Sequence, residues 1–167
     1  MTRSITIVWV VVMGFSIKFE NKIPALLKRL DKLNGMEVEV GFFEEDRYGP
    51  ENHNLPVATV AAYNEFGTSH NPQRPFMSDT FSENMNQFYM AKGMKDTFLD
   101  VLKGGSASIR LLNSLGRIAA ELMKVSIQQY AAAGGNSVET IKKKGGRDTP
   151  LIDTGQMIES VRFYVHR

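Results

Sequence analysis

Residues 61–77 read AAYNEFGTSHNPQRPFM. This stretch predicts the end of a short helix, a stop at Gly67, a polar loop, and a new helix entered through Pro75. Glycine stops helices because it adopts backbone conformations that a Cβ disfavours. Pro72 and Pro75 stiffen the loop by holding φ at about −65°. Tyr63, Phe66 and Phe76 bracket Glu65, His70, Gln73 and Arg74. A stiffened polar loop between apolar anchors presents side chains to a partner at low entropic cost. The stretch holds no nucleophile beside a base and no convergent ligand set, so its expected role is recognition. Glu65 and Arg74 admit two readings: a local ion pair tying the loop down, or a pair facing another subunit.

Working back from the loop, Pro56 to Gly67 predicts a helix with Val57, Val60 and Ala61 turned inward. Glu44 to Leu55 is polar, with Gly49 and Pro50, and reads as a loop. Met36 to Phe43 alternates Met36, Val38, Val40 and Phe42 against Glu37, Glu39 and Gly41, the period-two pattern of a half-buried strand. Before it, Ile23, Leu26, Leu27, Leu30 and Leu33 form one helical stripe. Asn21 is its cap, Pro24 sits in its first turn, and Gly35 follows its end. Ile17 and Phe19 alternate with Lys18 and Glu20, a short strand expected to run antiparallel to the one at Met36–Phe43. The apolar run ITIVWVVVM, Ile5 to Met13, is too short to span a bilayer as a helix. Its β-branched content favours a strand or arm. It also has the length of a signal-peptide core, although no small-residue cleavage site follows. A third reading makes Met13 the natural start.

Forward from the loop, a third helix is expected from Pro75 to about Leu102, with Phe81, Met85, Phe88, Ala91, Phe98 and Leu102 at helical spacing. A kink is expected at Gly93. Gly104 to Ser106 reads as a turn. The clearest helix then runs from about Ser106 to Ala133. Its stripe is Leu111, Leu115, Ile118, Leu122 and Val125, widened by Leu112, Ala119, Met123, Ile127 and Tyr130, as expected for core against two neighbours. Gly134 and Gly135 end it, Ser137 caps one further turn, and Lys142 to Pro150 reads as a loop. Asp153 with Gln156 predicts a capping box. Val161, Phe163 and Val165 predict a closing strand. The expected class is α+β: a small, mostly antiparallel sheet packed against a few helices, including one long amphipathic helix. Residues 1–20 form the apolar strand or arm and residues 21–167 a single domain.

Composition supports one domain of 167 residues with an ordinary 43% apolar and 23% charged content. The net charge of +2 does not demand nucleic acid or a membrane as partner. Cysteine is absent, which excludes disulfides, thiolate zinc sites and cysteine nucleophiles and fits assembly in a reducing cytoplasm. Ten phenylalanines and nine methionines fit a large subunit interface, since methionine adapts to irregular surfaces. His53, His70 and His166 show no metal-ligand spacing, there is no GxSxG, and GGSAS at Gly104 to Ser108 lacks the Lys-Ser/Thr of a phosphate loop. No metal or cofactor is expected. Lys142, Lys143, Lys144 and Arg147 form the strongest basic run. It reads as a solvated loop or as a contact with a phosphate backbone or an acidic partner, without base reading.

Three segments then fall in one order: VATVAAYNEFGT at Val57 to Thr68, PQRPFM at Pro72 to Met77, and TIKKKGGRDTPLIDTGQMIESVRFYV at Thr140 to Val165. Together they resemble the neck and tail-completion (head–tail joining) proteins of tailed bacteriophages. That family shares an A-x-x-x-E-F-G helix end, a P-x-R-P-F turn and a P-L-x-D-T-G-x-[LM] segment before a final strand. The resemblance covers roughly Met36 to Val165. It implies a non-enzymatic virion protein, assembled in the host cytoplasm. Such a protein forms a homo-oligomeric ring of six or twelve copies at the junction of head and tail, around the DNA channel. The implied partners are itself and neighbouring neck, connector or tail proteins, with transient contact with genomic DNA and no membrane. The implied fold or interface positions are Glu65, Phe66, Gly67, Arg74, Pro75, Phe76, Leu151, Asp153, Thr154 and Gly155. Alternatives are a tail terminator capping the tail tube, a DNA-binding protein using Lys142 to Arg147, and a divergent hydrolase or nuclease.

Overall fold

The computed structural model describes residues 23–31, 35–103 and 108–166. The expectations for residues 1–22, including the apolar arm, the Ser16–Glu20 strand and the Asn21 cap, lie outside these residues. So do Leu33 and the turn at 104–107.

Among the described residues the order is α1 (Ile23–Asp31), β1 (Glu37–Gly41), α2 (Val57–Phe66), α3 (Phe76–Ser82), α4 (Asn84–Lys103), α5 (Ser108–Ala133), α6 (Val138–Lys143), α7 (Gln156–Glu159) and β2 (Arg162–His166). The class is α+β, with a two-stranded antiparallel sheet packed against helices. Distant parts of the chain build the sheet: Glu37 pairs with His166, Val38 with Val165, Glu39 with Tyr164, Val40 with Phe163, and Gly41 with Arg162. Val38, Val40, Phe163 and Val165 are half-buried, whereas Glu37, Glu39, Tyr164 and His166 are exposed. A two-stranded ribbon is marginal alone, and this one lies on α5. Gly116 of α5 allows the close approach, because a Cβ there would stand 2.2 Å from the Phe163 ring.

The 26-residue α5 is the hub, packed against α3, α4, β1 and β2. Its buried line runs Leu115, Ala119, Met123, Ile127 and Ala131, with Ala120 and Ser126 beside it. This corrects the expected stripe, since Ile118 and Leu122 are only half-buried and Val125 is exposed. Of the expected stripe Leu115 is buried, and of the residues that widened it Ala119, Met123 and Ile127 are buried while Leu112 and Tyr130 are half-buried. Small Ala119 and Ala120 let α5 approach its neighbours, and the leucine spacing points one step around the helix. Val57, Ala61, Phe76, Met157 and Val161 complete the core with Ala120, Met123 and Ile127. Phe76 is fully buried and meets the Phe42 ring edge-on at 5.9 Å. Burying a side chain of this kind contributes about 1.5–3 kcal/mol.

The expected third helix is two helices. The break falls at Glu83, whose ψ of 127° is extended, and not at Gly93. Side-chain amides stabilise the break by binding the carbonyls that α3 leaves free. Asn86 donates to Thr80 O at 2.8 Å and Gln87 to Phe81 O at 3.1 Å. Gly93 lies within continuous α4, where a Cβ would come within 2.5 Å of Leu115. Phe81, Met85, Phe88 and Phe98 keep helical spacing but are exposed, and Val101 is the buried apolar residue of α4. In α1, Ile23 and Leu27 are likewise exposed.

Candidate functional site

Helix α2 ends as the sequence requires. Gly67 has φ 72° and ψ 170°, and a Cβ there would meet Gln73 N at 3.0 Å. The loop then folds back on α2. Thr68 Oγ1 accepts from His70 N at 3.2 Å and Asn71 N at 3.0 Å. Asn71 Nδ2 donates to Tyr63 O and to Asn64 Oδ1, each at 3.1 Å, and Arg74 N donates to Asn64 O at 2.7 Å.

Glu65 and Arg74 do not pair with each other. Glu65, 4% exposed, turns to the start of α3. Its Oε2 accepts from Met77 N at 2.8 Å, and its Oε1 accepts from Ser78 N at 2.9 Å and Ser78 Oγ at 2.5 Å. The first turn of a helix leaves N–H groups without intrahelical acceptors, and a carboxylate satisfies them well. Arg74, 8% exposed, donates to Asn71 Oδ1 at 3.1 Å and to Gly135 O at 3.2 Å. The ion-pair expectation is thereby corrected: both charges are spent on backbone and amide groups. Pro75 is the N-cap of α3 and Phe76 fills the core beneath it. Phe66 stands outward, exposed to 75%.

Arg74 reaches the third signature segment through Gly135. Asp148 organises the same junction. It accepts from Gly135 N at 3.0 Å and Asn136 N at 2.9 Å, and these N–H donors hold its carboxyl below the usual range. Leu151 follows buried Pro150 and adopts φ 63°, a conformation rare for a bulky side chain. Lys144 supports this strained turn, donating to Thr149 O at 2.8 Å and Ile152 O at 2.9 Å. The expected capping box does not form. Arg147 takes Asp153 instead, donating to its Oδ1 at 3.1 Å and its backbone O at 3.0 Å. Gly155, with φ 91°, is the N-cap of α7, and Thr154 Oγ1 accepts from Gln156 N at 3.3 Å.

The four basic residues therefore do not share one face of unengaged charge. Lys143 pairs with Glu139 at 2.8 Å, Lys144 turns inward, Arg147 pairs with Asp153, and Lys142 is exposed.

Two cavities flank the loop. One, of about 250 Å³, is lined by Asn64, His70, Arg74, Lys144, Leu151, Asp153, Thr154 and Gly155 among others. The other, of about 440 Å³, is apolar and lies among Phe42, Ala62, Phe66, Met77 and Phe81. The first brings all three signature segments together. Asn64, Asn71 and Asp148 carry no motif that marks them in the sequence, and Gly135 is marked only as a helix end. The only signal for Asp148 is a short acidic residue close after Gly145-Gly146, where glycines let the chain turn back.

Among the described residues no three metal-ligating side chains cluster, and no helix is long and apolar enough to cross a membrane. No family model, curated protein or solved structure matches the chain.

Proposed function

We propose that this chain is a structural virion protein of a tailed bacteriophage. In this reading it forms a homo-oligomeric ring at the neck, where it completes the tail or joins it to the head around the DNA channel. The supporting observation is the convergence of the three signature segments. Glu65 closes the first turn of α3 at Met77 and Ser78, Arg74 ties the loop to Gly135, and Leu151, Asp153, Thr154 and Gly155 line one cavity with Arg74. Motifs that depend on each other in space behave as one unit, and this unit holds Phe66 outward beside an apolar hollow. Exposed Met85, Phe88, Tyr89 and Phe98 continue an apolar surface along α4, as subunit contacts require. The chemistry of the site is recognition: its buried carboxylate and guanidinium serve helix and loop ends.

The test is the mass of the purified chain by light scattering across a concentration series, with negative-stain imaging of large species. Rings of six or twelve are expected. Addition to tails lacking an end protein, or to filled heads, separates a tail terminator from a neck protein. A chain that stays monomeric and associates with neither overturns the proposal.

A further inference from the structure

The polar cavity beside the loop carries more positive charge than its own carboxylates answer. Arg74 is 8% exposed, and its donors go to the neutral oxygens of Asn71 and Gly135. Lys144 likewise donates to two carbonyl oxygens. Among the described residues neither makes a salt bridge. Burying a cation without a counter-charge is costly. Burial pushes the Lys144 ammonium down; Asp153 and, more weakly, Asp148 pull it up, while Arg147 and Arg74 push it down. Arg74 and Lys144 line this one cavity and repel each other across it. The carboxylates nearby are shared with other groups: Asp153 pairs with Arg147, and Asp148, which attracts both cations without bonding to either, accepts from the backbone N–H groups of Gly135 and Asn136. The Asn136 Nδ2 atom, also at the cavity, is buried and makes no hydrogen bond of good geometry.

We propose that this cavity binds a single oxyanion group, a carboxylate or a phosphate, between Arg74 and Lys144, with exposed His70 beside them. An oxyanion there accepts the remaining guanidinium and ammonium protons in charge-assisted hydrogen bonds and removes the repulsion between the two cations. The volume of about 250 Å³ falls below the roughly 300–1,000 Å³ of pockets that enclose drug-sized ligands. That size selects one acidic side chain or one inorganic anion over a nucleotide. The inference does not depend on the head–tail reading, because it rests on the charges and the cavity alone.

The experiment is calorimetric titration of the full chain with sodium phosphate and, separately, with N-acetylaspartate amide, each against sodium chloride at matched ionic strength. Saturable one-to-one binding is expected, with a dissociation constant of about 1 mM or tighter. Lys144→Met weakens it at least about tenfold, whereas Lys142→Met, at an exposed neighbour, leaves it unchanged. Tighter phosphate binding identifies a free or phosphoryl anion as the source, and tighter carboxylate binding identifies an acidic side chain of a protein partner; either supports the site. Lys144 also holds the Leu151 turn, so a second variant guards against a folding defect. Thr154→Glu places a carboxylate at the cavity and is expected to abolish titration while raising Tm. No saturable binding of either probe, or binding unchanged in both Lys144→Met and Thr154→Glu, overturns the proposal.

Discussion

Glu65 holds Ser78 twice through one oxygen, Oε1, which accepts from the Ser78 backbone N–H at 2.9 Å and its hydroxyl at 2.5 Å. The second oxygen takes Met77 N–H at 2.8 Å. The last turn of α2 thereby stabilises the first turn of α3 across the polar loop. Replacing the acid by Glu65→Gln keeps one acceptor oxygen and loses the charge. It is expected to cost about 1–2 kcal/mol, and Glu65→Ala about 2–3 kcal/mol, because the part-buried Met77 and Ser78 N–H groups are then left unmet. Urea unfolding with an unchanged m-value is the measurement. Equal stability of the alanine variant contradicts the assigned role.

Gly116 is the second position where a small change has a calculable effect. Its missing Cβ leaves room for the Phe163 ring, which would otherwise lie 2.2 Å away. Gly116→Ala is expected to destabilise by about 1–3 kcal/mol through overpacking, outweighing the roughly 1 kcal/mol that alanine gains in a helix interior. Phe163→Leu in the same chain should recover part of the loss. A double-mutant cycle with no coupling would separate the two residues.

Gly93, expected as a kink, is like Gly116 a close approach, with a Cβ there 2.5 Å from Leu115. Glycine in a helical pattern announces either a weak point or a close approach, and the two differ only in what packs opposite. Val38, Val40, Phe163 and Val165 were legible as strand residues because alternation is local; their pairing with each other joins distant chain segments. The loop was legible at Gly67 and Pro75, since both act through their own backbone. Glu65 and Arg74 were recognised as important, yet their partners were not, because charge complementarity invited a pairing that backbone donors and acceptors outcompete. Asp153 was misread for the same reason: a capping spacing was present, but Arg147 claimed the carboxylate.

Tyr130 supplies a pH prediction. Burial, followed by its hydrogen bond to Asp79 at 2.5 Å, pushes the phenol up to about 12 from 10.0. A group whose folded value is raised contributes stability that is complete below its unfolded value and lost as pH rises through the folded one. Stability should therefore fall between about pH 10 and 12. Tyr130→Phe should flatten that alkaline limb while lowering stability at neutral pH. Tyr48 and Tyr164 are also raised, by burial and by the Glu45 hydrogen bond respectively, so ultraviolet titration of phenolate absorbance should lose one late-ionising tyrosine in the variant and keep the others. An unchanged titration curve would assign the late phenol elsewhere.

The apolar surface of α4 yields the prediction closest to function. Phe88 is 61% exposed and Phe98 49%, so neither contributes much burial within the chain. Removing them should leave folding almost unchanged, since surface substitutions usually stay within about 0.5 kcal/mol. In the ring proposed above, the same rings would lose water between subunits, where aromatic residues carry a disproportionate share of binding energy. Phe88→Glu with Phe98→Ser is expected to weaken self-association at least about tenfold, which is about 1.4 kcal/mol, with the urea midpoint held. Light scattering reads the association and circular dichroism the fold. Phe66→Ser, at the 75% exposed tip beside the apolar hollow, tests the other half of the surface. Association lost in the α4 variant alone places the subunit contact on α4. Loss in the Phe66 variant alone places it at the loop, and loss in both makes them one continuous interface. Association unchanged in both variants removes the apolar surface from the assembly contact.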